Sequence, residues 1–145
     1  MFDRLLRSLL APAPAHLPDP DAHLALAALM VRVARSDNNY SRTEQVRIDR
    51  VLAATYDLSP EGAAVLRAQA EQLEAQAPDT VRFTRALKAA VPTEKRARLM
   101  ESLWQVALAD GMRDDDEEAL LRLVANLLGL TDVESALARH RAERA

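Results

Sequence analysis

Carboxylates crowd into two turns of this chain, at a spacing suited to one kind of chemistry. Asp37 precedes Asn38 and then Ser41-x-x-Glu44, while Asp110 precedes Gly111 and then Asp114-x-x-Glu117. The second turn, DGMRDDDEE over 110–118, sets six acids (Asp110, Asp114, Asp115, Asp116, Glu117 and Glu118) against one arginine. An aspartate in the last turn of a helix meets the negative end of the dipole and costs about 0.3–1 kcal/mol. Asn38 and Gly111 both tolerate the left-handed backbone with which a chain leaves a helix. The sequence therefore predicts a sharp exit just after an aspartate, twice. Like charges packed so closely repel, and a hard divalent cation held through oxygen (Ca²⁺, Mg²⁺ or Mn²⁺) relieves that repulsion. The expected ligands are Asp37, Glu44, Asp110 and Glu117, with Asp114, Asp115, Asp116 and Glu118 as further acid beside them.

Capping competes with this reading. Each aspartate is placed to accept from free N–H groups of the turn that follows, and Ser41/Glu44 and Asp114/Glu117 match capping boxes. That account suffices for each turn taken alone. An EF-hand is excluded, because its glycine and terminal glutamate positions hold Arg42 and Ile48 in the first turn and Asp115 and Leu121 in the second.

Both turns belong to a longer repeat. Residues 29–61, LMVRVARSDNNYSRTEQVRIDRVLAATYDLSPE, match residues 102–134, SLWQVALADGMRDDDEEALLRLVANLLGLTDVE. An offset of 73 pairs Val33-Ala34 with Val106-Ala107, Asp37 with Asp110 and Glu44 with Glu117; an offset of 72 then pairs Ala53 with Ala125, Leu58 with Leu130 and Ser59 with Thr131. A duplicated helical unit packed copy on copy is the expectation, and it would bring the two turns into one acidic site.

The elements that must position these turns are helices throughout. Asp19-Pro20-Asp21 opens the first, running to about Asp37 with Leu26, Leu29, Met30 and Val33 as its buried stripe. Ser41-x-x-Glu44 starts the second, ending near Asp57, and Ser59-Pro60-Glu61 starts the third, through about Ala77. Pro78-Asp79 starts a fourth that stops before Pro92, and Thr93 is the expected cap of a fifth over 94–109. Asp114 opens the sixth, Gly129 ends it in a left-handed conformation, and Thr131-x-x-Glu134 opens the seventh. No segment alternates with period two. The prediction is an all-α, single-domain bundle of about seven helices with an internal pseudo-twofold duplication.

Composition narrows the function. At 145 residues the chain makes one domain, and with 3% aromatics its core must be aliphatic. The absence of cysteine excludes disulfides, thiolate metal sites and a cysteine nucleophile, and points to a reducing, cytoplasmic setting. A net charge of −3 supplies no global attraction to nucleic acid, so none is expected as a partner. Residues 1–10, MFDRLLRSLL, place Phe2, Leu5, Leu6, Leu9 and Leu10 on one helical stripe. That segment is expected to dock on its own domain or a second subunit; the rival role is weak contact with a membrane surface, peripheral to the inner membrane. Residues 11–20 form a Pro-rich linker, and 21–145 the helical body. Arg82, Arg85, Lys88, Lys95, Arg96 and Arg98 make a basic patch that could meet an acidic partner or a phosphate backbone, although a solvated face is its default role. Trp104 lies on an apolar stripe and is read as core, and His16, His23 and His140 have no ligand spacing.

The segments MVRVARSDNNYSRTEQVRI and LWQVALADGMRDDDEEALLRLVANLLGL resemble the TerB-like family of bacterial tellurite-resistance and stress proteins, which includes a related domain of some membrane-anchored J-proteins. The resemblance covers about residues 20–140. The second segment, with ALADG, an acidic run and LLGL, matches more closely; the first has Asp37-Asn38 where the family has Asp-Gly. The resemblance implies a duplicated all-helical domain, a metal-associated acidic site and a role in stress or metal response, without an established enzymatic activity. The expected function is thus a cytoplasmic, non-enzymatic module that binds a divalent cation or engages a protein partner through its acidic face. The alternative is a helical adaptor that recruits proteins or membrane surfaces without metal. Metal-dependent hydrolysis has no nucleophile or substrate motif behind it.

Overall fold

A computed structural model describes residues 19–36, 40–76, 80–108 and 115–144, with all side chains among them except those of residues 19–21, 82, 115 and 116. Seven α-helices and no strand occur among the described residues: α1 Asp19–Arg35, α2 Arg42–Tyr56, α3 Pro60–Gln76, α4 Thr80–Ala90, α5 Thr93–Ala107, α6 Asp115–Leu127 and α7 Asp132–Arg144. The chain is an all-α bundle. The N-terminal stripe of residues 1–10 and the linker up to residue 18 lie outside the described residues. No helix among them is long and apolar enough to cross a membrane.

α1 is the central helix. Every residue from Leu24 to Val31 is buried, so the helix is enclosed on all sides rather than along the single stripe its leucines predict. Its alanines explain the difference: Ala25, Ala27 and Ala28 are small enough to let neighbours close over the second face. α1 packs against α3, α4, α5, α2 and α6. Phe83 and Leu87 from α4, Ile48 and Leu52 from α2, and Met100 and Leu103 from α5 are fully buried in the same core. Trp104 is buried as expected, donating from Nε1 to the Ser135 Oγ of α7 at 3.3 Å.

Local signals set most helix ends. The Ser41 Oγ accepts from the Glu44 N–H at 3.2 Å, while the Glu44 Oε1 accepts from the Ser41 N–H at 3.0 Å, a complete capping box. Thr131 and Glu134 repeat it at 3.1 and 2.9 Å. The Ser59 Oγ accepts from the Gly62 N–H at 3.0 Å, with Pro60 opening α3. α2 exits through Asp57 at φ 54° and α6 through Gly129 at φ 82°, and in each case the next N–H reaches back, Leu58 to the Ala53 carbonyl and Leu130 to that of Ala125.

One predicted cap is corrected. Pro92, not Thr93, is the residue before α5; its φ of −59° and ψ of 150° are extended, and Thr93 becomes the first helical residue. The proline ring fixes the turn one position early, so no side-chain oxygen caps this helix.

The two segments paired in the sequence carry corresponding boundaries. α2 and α6 begin 73 residues apart, and α3 and α7 begin 72 apart. α1 packs closely on α3 as α5 does on α7; α2 also touches α5, and α6 touches α1.

Candidate functional site

The first acidic turn is bounded by the end of α1 and the start of α2, and both sides are tied to α3. Arg32 donates from Nε to the Glu74 Oε2 at 3.1 Å and from Nη2 to the Glu74 carbonyl at 3.1 Å, and Arg35 pairs with Glu74 Oε1 at 3.1 Å. On the far side, the Tyr40 hydroxyl donates to Glu71 Oε2 at 2.6 Å, with the Arg35 guanidinium 5.1 Å from the Tyr40 ring centroid. Arg67 completes the network, bonded to Asp49 of α2 at 2.6 Å and to Glu71 at 2.9 Å. Burial, reinforced by the neighbouring Glu71 carboxylate, pushes the Tyr40 phenol well above its ordinary range and keeps it a donor. Burial disfavours the Arg67 charge, yet its bonds to Asp49 and Glu71 hold the guanidinium above its usual value. Sequence reasoning missed this network, although Arg67, Glu71 and Glu74 stand at i, i+4 and i+7 on one face of α3.

Asp37, Asp110 and Asp114, and the side chains of Asp115 and Asp116, lie outside the described residues. Glu44 and Glu117 do not. Each occupies the first turn of its helix, 73 residues apart, and they are 1% and 3% exposed. Burial of a carboxylate is costly unless donors meet it, and a helix N-terminus supplies both N–H groups and favourable dipole charge. Glu44 uses them, accepting from the Ser41 N–H and lying 3.2 Å from the Ser41 Oγ. Glu118 turns toward α7, pairing with Arg139 at 3.4 Å. Among the described residues no group of three or more His, Asp or Glu is placed to hold a metal ion. Two of the four expected ligands are thus buried at matching positions of α2 and α6.

A family model described as tellurite resistance protein TerB matches residues 23–140. The chain belongs to the TerB family. No curated protein and no solved structure gives a significant match. The TerB match opens in α1 and closes in α7, so it takes in both acidic turns and leaves out the N-terminal stripe.

The basic patch of this TerB domain divides in two. Arg85, Lys88, Lys95 and Arg98 are exposed. Arg96 instead turns inward: it donates from Nε to the Val91 carbonyl at 3.1 Å, from Nη2 to Lys88 at 2.9 Å and from Nη1 to Leu128 at 3.3 Å. One guanidinium thereby satisfies carbonyls at the C-terminal ends of α4 and α6, where helices leave such groups without partners. The Arg82 side chain is outside the described residues.

Proposed function

We propose that this TerB-family protein is a non-enzymatic module that binds a divalent cation at its acidic turns, in the service of stress or tellurite resistance. Asp37, Glu44, Asp110 and Glu117 supply the oxygens, and the ion is Ca²⁺, Mg²⁺ or Mn²⁺ because the donors are carboxylates without thiolate or imidazole. The observation that carries the reading is the pair of carboxylates, Glu44 and Glu117, buried in the first turns of α2 and α6, the second of them one of the six acids of residues 110–118. Membership of a non-catalytic helical family supports the absence of a reaction. The matched helix starts, the paired left-handed exits at Asp57 and Gly129 and the equivalent caps at Ser59 and Thr131, each accepting from the N–H three residues on, support two copies of one unit. In that arrangement the second copy completes the site begun by the first.

Calorimetric titration of metal-stripped protein with each ion tests this. Saturable binding of about one ion, lost in Asp110→Asn and Glu117→Gln, is the expected result; no heat at millimolar ion leaves capping as the role of these acids. The exposed cations of the basic patch favour a second reading, a cytoplasmic adaptor that engages an acidic protein or, with residues 1–10, a membrane surface. An adaptor needs no ion at the Asp110 turn, so the same titration separates the two.

A further inference from the structure

Away from the acidic turns, the first turn of α1, the end of α2 and the connection between α4 and α5 enclose a groove of about 690 Å³. Its floor is apolar, with Ala22 and Leu99 buried and Val91 half-buried. One wall is aromatic: the His23 imidazole stacks on the Tyr56 ring with centroids 3.5 Å apart. Lys95 and Arg98 stand exposed on the rim, and Glu94 is the one acid among the described residues that line the groove. Among the described residues no hydrogen bond or ion pair engages the Tyr56 hydroxyl or the Lys95 and Arg98 side chains. Burial pushes the Tyr56 phenol well above its ordinary range, which keeps the hydroxyl a donor.

We propose that this groove binds a small amphipathic anion, an alkyl chain ending in a carboxylate. The volume falls within the roughly 300–1,000 Å³ of small-molecule sites, and an apolar floor with few convergent polar groups is their common construction. The chain lies on Leu99, Val91 and Ala22, and the head group meets Lys95, Arg98 and the Tyr56 hydroxyl. Charge decides against the chain's own N-terminal stripe as occupant. Residues 1–10 carry Arg4 and Arg7 against one acid, Asp3, and the rim would repel them.

The test is calorimetric titration of the full-length protein, in chelator, with octanoate, decanoate and dodecanoate below their micellar concentrations. Affinity should rise with each methylene, by up to about fourfold, until the groove is filled. Lys95→Glu with Arg98→Glu, both at exposed positions near the N-terminus of α5 where acid is tolerated, should weaken decanoate at least tenfold and strengthen decyltrimethylammonium. Tyr56→Phe should weaken decanoate about fivefold, the loss of one hydrogen bond. Decanol binding as tightly as decanoate, or an indifferent double variant, overturns the proposal. So does a dimer seen by sedimentation that the double variant dissolves, since a second copy would then cover the groove. Removal of residues 1–10 that sharply raises decanoate affinity also overturns it, making that segment the natural occupant.

Discussion

Arg96→Ala offers the sharpest test of how this bundle is held together. The guanidinium spans the ends of two helices, with donor distances of 3.1 Å to Val91, 2.9 Å to Lys88 and 3.3 Å to Leu128. Hydrogen bonds to a charged group contribute about 1.5–3 kcal/mol each, net of exchange with water. The Lys88 bond is exposed, so water replaces it at little cost; those to Val91 and Leu128 are partly buried. Allowing for partial rehydration of these two, truncation should cost about 2 kcal/mol. For a chain of 145 residues that lowers the melting midpoint by roughly 7 °C. Arg98→Ala, two positions along and exposed, should stay within about 0.5 kcal/mol of the parent. Arg96→Lys keeps the charge near both helix ends but loses the planar fork, and should recover less than half of the loss. Urea unfolding of the three variants at unchanged m-value provides the measurement. An Arg96→Ala loss no larger than that of Arg98→Ala would refute the staple. Full recovery by lysine would reduce it to a charge at a helix end.

In thermal melts, a cation at a hundredfold excess over Kd should stabilise the parent by about 2.7 kcal/mol. Asp110→Asn and Glu117→Gln should lose most of that response, while Asp57→Asn, outside both turns, keeps it. The two tyrosines should show no phenolate absorbance near pH 10 while the protein is folded, because burial raises both, with Glu71 adding to the effect at Tyr40. Above the unfolded value near 10 the native state holds more protons than the unfolded one. The stability contribution is therefore complete below that pH and lost as pH rises toward the native values, so alkaline melts should weaken steeply. Tyrosinate appearing near pH 10 without unfolding would contradict this. Removing residues 1–10 should leave far-UV circular dichroism and cooperative unfolding intact, since the described core closes around α1 from Ala22 onward; global unfolding on that deletion would make the stripe part of the core.

What the sequence determined by itself was whatever depends on bonds between near neighbours. The Ser41/Glu44 and Thr131/Glu134 boxes join residues three apart, and the Gly129 exit is decided by one residue's freedom at positive φ, so each was legible as a short motif. The apolar spacing that marks seven helices is equally local, and the resemblance carried by the two acidic segments led to the family that the chain belongs to. Thr93 was misread even at this range, because a proline's fixed dihedral outranks a hydroxyl's capping preference.

Tertiary structure decided everything that joins distant residues. Arg96 looked like one cation among six, and only the meeting of the ends of α4 and α6 reveals it as a staple. Arg67, Asp49, Glu71 and Tyr40 come from three segments, and no spacing announces that they converge beside the first acidic turn. α1 was read as one-sided because alanine carries little pattern, and its enclosure follows from five neighbouring helices. The candidate site divides along the same line. Glu44 and Glu117 were legible as the acids that open two helices, but their burial was not, since a carboxylate's exposure is set by the helices packed over it rather than by its place in the turn.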